Sequence, residues 1–363
     1  MLIFISCGIR RMSSNLVVKL FDKDLTFKRN IPFSRLWNDI SFTSAVNTGF
    51  GQLTLKHQVS FDDDTIEHGD IVKVFDISQS EVNTVPDGGN YYKTQDDVAI
   101  YAGQVVTIER VILGRDEYVV VECLGIQTML NRLLYTYSTS TSFTRTTDPS
   151  TMVKEILDMF PTYFSYTGVT IPNYWSNLSI EFDNLDGFSA IKKIIDATWW
   201  VMRFSADWVV YFNARSTITS DHTIVFGKHI TEIEQREESS QIANKVKVKW
   251  SWGITWWTSD TGSQTAYGIR EKFISDTSLK DVTTWSAYAT AYVAKNKDPK
   301  LNSRLAINDS YAIGTILAGH VLKIVGDPVW IGNKYVEKLD YSPDKIIVHL
   351  DSYISTEKAL SNL

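Results

Sequence analysis

Cysteine is scarce: Cys7 and Cys123 are the two in 363 residues. No CxxC or Cys/His spacing occurs, which removes a structural zinc site, and two cysteines cannot build a disulfide framework. That scarcity suits assembly in a reducing cytoplasm. Cys123 sits in an alternating apolar segment and reads as a small buried residue. Proline is also scarce, with eight residues, and charged residues are 21% against 44% hydrophobic. This composition excludes a largely disordered chain. A long basic run is missing too. Short pairs such as Lys192-Lys193 stand against a net charge of −6, so sequence-specific reading of DNA or RNA is not expected. No apolar stretch is long enough to cross a bilayer. The segment WWVMRFSADWVVYF comes closest, and Arg203 and Asp207 interrupt it.

The motifs of common chemistry are missing as well. Six histidines are scattered without HExxH or other ligand spacing. No GxSxG elbow occurs, and NTGFGQL lacks the GxGxxG spacing of a dinucleotide site. The carboxylates of FDDDTIEHGD (Asp62, Asp63, Asp64, Glu67, Asp70) are mostly consecutive, whereas a calcium loop alternates them, so a solvated turn is favoured. No cofactor or metal is expected. The N-terminal MLIFISCGIRR has too short an apolar run for a signal peptide, with its basic residues after the run instead of before it. Cys7 fails as a lipid anchor for the same reason. Met12 is an alternative start, because SNLVVKLF after it reads as a strand.

What is present favours strands. The chain has 11 Trp, 17 Tyr and 17 Phe, with abundant Val, Ile and Thr. Alternating segments fall at 15–30, 40–60 and 71–75, and then at 100–125 around a turn at Gly114-Arg115-Asp116. A Pro- and Gly-containing excursion covers 77–97. GIQTMLNRLLY reads as a short helix. The Ser/Thr-rich stretch 138–147 reads as a connection ending at Asp148-Pro149, a helix start with its cap. Val153, Ile156, Leu157 and Phe160 form one apolar stripe, and Pro161 stops that helix. A strand at 174–183 leads to a second helix, GFSAIKKIIDAT, striped by Phe188, Ile191, Ile194 and Ile195. A hairpin then turns near Ser205-Ala206-Asp207. Residues 222–258 read as strands, 259–272 as a polar loop, 281–296 as a helix, and the rest as strands again, with His349 on a strand face.

One pattern occurs twice. HGDIVKVF, IYAGQVVTIERV and YVVVECL run in the order later repeated by AGHVLKIV, VWIGNKYVEKLDY and KIIVHLD. In each, a glycine precedes a short apolar strand, and a second glycine leads into an alternating hairpin. Two unrelated hairpins look alike at this level. The sharper reading is two similar small β-barrels, whose strands each need one face inward and one outward.

The order of these segments, with TMVKEILDMF, LDGFSAIKKIIDATWWVMRFSADWVVYF and QIANKVKVKW between them, resembles the baseplate hub proteins of tailed phages and of contractile injection systems, over about residues 15–355. The last region departs from that pattern with Leu317-Ala318-Gly319, where Pro-Gly is common. The resemblance implies an α+β, mostly β chain: two tube-like small β-barrel domains with an intervening helix-containing α/β segment. The implied domains are 1–137, 138–220 and 221–363, the last with the inserted helix 281–296. It implies a non-enzymatic homotrimer at the virion tail tip, assembled in the host cytoplasm. Each chain would give two barrels, so three chains present six, adapting a six-fold tube to a three-fold tip. Its implied partners are the tail tube and distal tail proteins, and tip, fibre or tape-measure proteins. DNA would pass through the lumen without specific binding. With no lysozyme, peptidase or fibre domain after Leu363, those tip functions are expected on separate proteins.

The competing reading is a β-rich protein that binds or cleaves host-wall glycan, with tryptophans and two carboxylates in one groove. The run KWSWGITWWTSDTGS is the hardest to bury. Trp250, Trp252, Trp256 and Trp257 are therefore the candidate partner or surface contacts.

Overall fold

The computed structural model describes residues 16–31, 40–58, 66–76, 98–113, 116–215, 220–249, 255–275, 282–308, 316–326, 333–342 and 345–351. The expectations for the chain start, Cys7, Asp62 to Asp64, the 77–97 excursion, the turn residues Gly114 and Arg115, Trp250 and Trp252 lie outside those residues. The chain is mostly β, as expected from its aromatic and β-branched content.

Strands β1 (Leu16–Phe21) and β2 (Phe27–Ile31) form an antiparallel hairpin. Its turn is built by Asp22, whose carboxylate accepts from the amides of Asp24 and Thr26. Next come the short antiparallel pair β3 (Phe42–Ala45) and β4 (Gly49–Phe50), then β5 (Leu53–Gln58), β6 (Ile71–Asp76), β7 (Val98–Leu113) and β8 (Asp116–Gly125). Six of these make the first sheet, in the order β2-β1-β6-β7-β8-β5, with every neighbour antiparallel. The expected short helix after β8 is a 3₁₀ helix, Ile126–Arg132, which buries Ile126, Met129 and Leu130.

The Ser/Thr-rich stretch is not a plain connection. It carries β9 (Ser142–Thr147), paired along its whole length with β10 (Leu178–Asp183). Threonine is β-branched and fits a pleated surface, and Phe143 anchors the strand between Tyr135 and Phe182, with ring centroids 5.2 and 5.4 Å away. Helix α1 (Pro149–Leu157) begins as expected, with Asp148 accepting from the Ser150 amide. The same carboxylate accepts from the amides of Tyr174 and Trp175, so one side chain fixes both the helix and the distant loop. The helix ends at Leu157, one turn before Pro161. Helix α2 (Gly187–Thr198) is capped by Asp186 and ends at Trp199, whose φ is +59°. The hairpin β11 (Val201–Phe204) and β12 (Val210–Asn213) follows.

The C-terminal part contains β13 (His222–Val225), β14 (Ile230–Glu238), β15 (Lys245–Lys249), β16 (Thr255–Ser259), α3 (Thr261–Tyr267), β17 (Glu271–Ser275), α4 (Val282–Asn296), β18 (Lys300–Asn308), β19 (Val321–Val325), β20 (Asn333–Ser342) and β21 (Lys345–Asp351). The second sheet runs β13-β19-β20-β21-β18-β14. Its two end strands are joined by residues 226–229, and Phe226 bridges to Ile230. The sheet therefore curls enough to bring the end of β13 near the start of β14, with no ladder between these two strands among the described residues. From the N-terminal part, β3 pairs with β20 and brings β4 with it. Two expectations change here. The polar stretch 259–272 holds α3 and the start of β17, because Asp260 caps a helix there. Strands β15 and β16 leave the second sheet and form a three-stranded sheet, β16-β15-β17. That sheet and α4 bury a core of their own: Ala243, Val246, Val248, Ala289 and Val293.

A single larger core runs through both main sheets and the helical part. Phe42 on β3 marks the seam, its ring 4.9 Å from Tyr101 of the first sheet and stacked 4.9 Å from Tyr341 of the second. Among the described residues no helix is long and apolar enough to cross a membrane.

Candidate functional site

The repeated pattern is repeated in atoms. In the first sheet, Gly69 has φ +95° before β6; in the second, Gly319 has φ +87° before β19. Only glycine takes this conformation without strain. The Gly69 amide donates to Val105 O, and the Gly319 amide donates to Val336 O. In return the Val105 amide donates to Asp70 O, and the Val336 amide to His320 O, both at 2.8 Å. One residue later each long strand bulges. Val106 is skipped in the register of β7 with β8, and Glu337 in that of β20 with β21. A bulge leaves its carbonyl outside the ladder, and each finds a partner elsewhere. His68 Nδ1 lies 3.2 Å from Val106 O, and the Val46 amide donates to Glu337 O at 2.9 Å. The fourth strand corresponds as well, since β5 pairs with β8 as β18 pairs with β21.

The duplication thus covers β6-β7-β8-β5 and β19-β20-β21-β18. It stops at the flanks, because β1 meets β6 antiparallel whereas β13 meets β19 parallel. The second glycines of the two copies do not correspond. Ile71 pairs with Gln104 as Val321 pairs with Tyr335, which puts Lys334 at the place of Gly103. Strand segments look alike when slid by two residues, because the inward face is preserved.

Of the candidate tryptophans, Trp257 is described with its side chain and is 46% exposed on β16. Trp256 is in β16 as well, paired with Val248, while Trp250 and Trp252 lie outside the described residues. Sequence reasoning missed the setting of Trp257. In KVKVK the valines Val246 and Val248 face α4, so Lys245, Lys247 and Lys249 share the opposite face. Lys247 is flanked across the sheet by Trp257 on one side and Phe273 on the other. The ammonium groups of Lys245 and Lys247 stand 4.5 and 5.0 Å from the Trp257 ring centroid. Lys245 also pairs with Glu271 at 2.5 Å. Helix α3 closes this unit. Asp260 accepts from the Ser263 amide, which lowers its pKa most, and the nearby Lys297 ammonium at 2.9 Å lowers it further.

Of the other described tryptophans, Trp175 is exposed, and Trp199, Trp200 and Trp208 pack within the chain or line a cleft. Trp199 packs on Tyr288 and Tyr292 of α4, and Trp200 on Tyr174 and Phe212. Trp208 stacks on Tyr163 at the rim of an open cleft of about 280 Å³, where Lys73 sits 4.6 Å over its ring. Among the described residues lining that cleft there is no carboxylate. His349 Nε2 lies 2.6 Å from Asp340 Oδ2 across β20 and β21, and His222 Nε2 lies 3.0 Å from His320 Nδ1. Among the described residues no group of three or more His, Cys, Asp or Glu is placed to hold a metal ion. Cys123 is fully buried, and burial pushes its thiol pKa well up.

No family model matches the sequence, and no curated protein does. Solved structures do. A 43 kDa tail protein of prophage MuSo2 from Shewanella oneidensis is similar at TM-score 0.61 and 10% identity, covering 93% of this chain and 97% of that one. The chain has the fold of phage tail proteins. The prophage tail protein gp18 from Listeria monocytogenes EGD-e gives TM-score 0.61 and 10% identity over 96% of this chain and 97% of its own. A tail protein from Neisseria meningitidis MC58 gives TM-score 0.62 and 10% identity over 93% and 97%.

Proposed function

We propose that this chain is a structural protein of a phage tail tip, a homotrimeric hub that carries the symmetry change from tube to tip. The observation that carries this reading is the duplicated four-strand unit, with the same glycine turn, the same reciprocal hydrogen bonds and the same bulge in both sheets. Two like units per chain give six in a trimer, enough to continue a six-fold tube, and such a ring is closed by heterologous contacts. The fold shared along nearly its whole length with tail proteins supports it. Under this reading the ring surrounds the path of the DNA, and a chain of net charge −6 gives that path no general attraction for phosphate. The domains are the two sheet units, with 138–220 between them. The chain meets tube and distal tail proteins on one side and tip, fibre or tape-measure proteins on the other. It has no catalytic role, and it is assembled in the host cytoplasm into the virion.

Light scattering on the purified protein, with negative-stain images of the same sample, tests this. A trimeric ring with a central opening is expected. A strict monomer at high concentration that binds wall glycan would replace this reading with the glycan-binding one.

A further inference from the structure

The three-stranded sheet β16-β15-β17 has one face on α4 and one face outward. The outward face is unusual for an acidic chain. Three lysines follow one another at alternate positions of the central strand, about 6.6 Å apart by strand geometry. Among the described residues no carboxylate is within ion-pair distance of Lys247 or Lys249, whereas Lys245 is tied to Glu271. Around them the segment 255–275 leaves large apolar side chains in solvent: Ile269 is 63% exposed and Phe273 54%, beside Trp257. Exposed aromatics clustered with cations are the composition of a protein contact.

The complementary pattern lies elsewhere on the same chain. At one end of the second sheet, β14 exposes Glu232 and Glu234 at the same alternate spacing. Glu234 meets Arg304 at a loose 3.6 Å, with both side chains largely exposed. Just before this strand, Phe226 is 46% exposed, and its amide is bonded to the carbonyl of the equally bare Val325. One surface is apolar beside a lysine row; the other is apolar beside a carboxylate row.

We propose that the lysine face of β15 docks on the β14 edge of a second copy of this chain, making the heterologous contact that closes the ring. Lys247 and Lys249 face Glu232 and Glu234 of the neighbouring copy, and Trp257 and Phe273 cover Phe226 and Val325. This rests on the ring reading above and adds which surfaces meet.

Charge reversal tests it. Sedimentation velocity is run on the full chain, on Lys247→Glu/Lys249→Glu, on Glu232→Lys/Glu234→Lys, and on all four changes together. Each pair alone weakens association about ten-fold or more, and the combined variant recovers to within about three-fold of the unmodified chain, because like charges face each other only in the pairs. Added salt weakens the unmodified oligomer. Glu232, Glu234 and Lys249 are exposed and Lys247 is half-buried on the outer face of the central strand, so Lys247→Ala/Lys249→Ala provides a milder second variant whose fold circular dichroism checks. An oligomer indifferent to both reversals, or four changes no better than the pairs, overturns this proposal and leaves the ring reading standing. An unmodified chain that never associates overturns both.

Discussion

The two copies of the turn allow a matched pair of substitutions, Gly69→Ala and Gly319→Ala. Both residues occupy the left-handed region, at φ +95° and +87°, and both amides bond across to the following long strand. An alanine there costs about 1–2 kcal/mol in backbone strain alone. The surroundings then separate the two. At Gly69 a new Cβ meets its nearest atom, Gln104 Nε2, at 3.6 Å, an ordinary contact. At Gly319 it would overlap the Arg203 side chain, which bonds Gly319 O at 3.2 Å and stacks 4.7 Å over Tyr211. Moving Arg203 forfeits that hydrogen bond and the ring contact, about 1–2 kcal/mol more. The expected penalties are therefore about 1–2 kcal/mol at Gly69 and about 2–4 kcal/mol at Gly319. Hydrogen exchange of the Val105 and Val336 amides reads these locally, without requiring the whole chain to unfold in one step. Protection of Val105 falls about 5- to 30-fold in Gly69→Ala, and Val336 loses more in Gly319→Ala. An unchanged Val105 would refute the shared-turn argument. Equal losses at both sites would refute the part assigned to Arg203.

Other outcomes follow from single side chains. Gln127 is buried and acts as a substitute strand for Phe50, accepting from its amide at 3.1 Å and donating to its carbonyl at 2.6 Å. Gln127→Ala leaves both groups unpaired and costs on the order of 2–5 kcal/mol in urea unfolding. With Cys7 replaced by Ser, Cys123 resists thiol reagents in the native state and reacts on denaturation, since it is fully buried with a raised pKa. Burial of Asp340 would raise its pKa, but Lys338 and His349 outweigh that and hold it below the ordinary 3.8. Its stabilisation is full above 3.8 and is lost as pH falls through the lower folded value. Thermal melts between pH 5 and 2 show a smaller acid loss for Asp340→Asn than for the unmodified chain. Asp260→Ala removes the α3 cap and the Lys297 pair, and lowers protection in β15 by about ten-fold.

Much of the fold is legible in the residues. Helix α1 is announced by Asp148-Pro149 and the stripe Val153, Ile156, Leu157 and Phe160, all of which are buried. Hairpins at β7-β8 and β11-β12 follow from alternation and turn residues. Local chemistry suffices in these places because a cap or a turn is satisfied within a few residues. The misread places depend on distant partners. SFTRTT becomes β9 because β10, more than thirty residues on, offers it a full ladder. The 259–272 segment is organised by Asn244, whose side chain bonds Ser263 Oγ and Gly268 O and accepts from the Arg270 amide.

The same division holds for the sites. The exposed tryptophan run is visible in the sequence, and Trp257 is exposed. Its lysine neighbours become a surface only when β15 pairs with β16 and β17, because strand periodicity says which residues share a face but not which strand lies alongside. The sequence by itself determined the strand-rich class, the starts of α1 and α2 and the existence of two similar hairpin units, since these rest on period, capping and composition. The tertiary structure alone decided that the two units share a turn and a bulge at matching positions, with the glycine correspondence corrected by two residues, and that β3 crosses to the second sheet. Register and long-range pairing are settled by hydrogen bonds between residues far apart in the chain, and a period-two pattern is satisfied equally well by any shift of two.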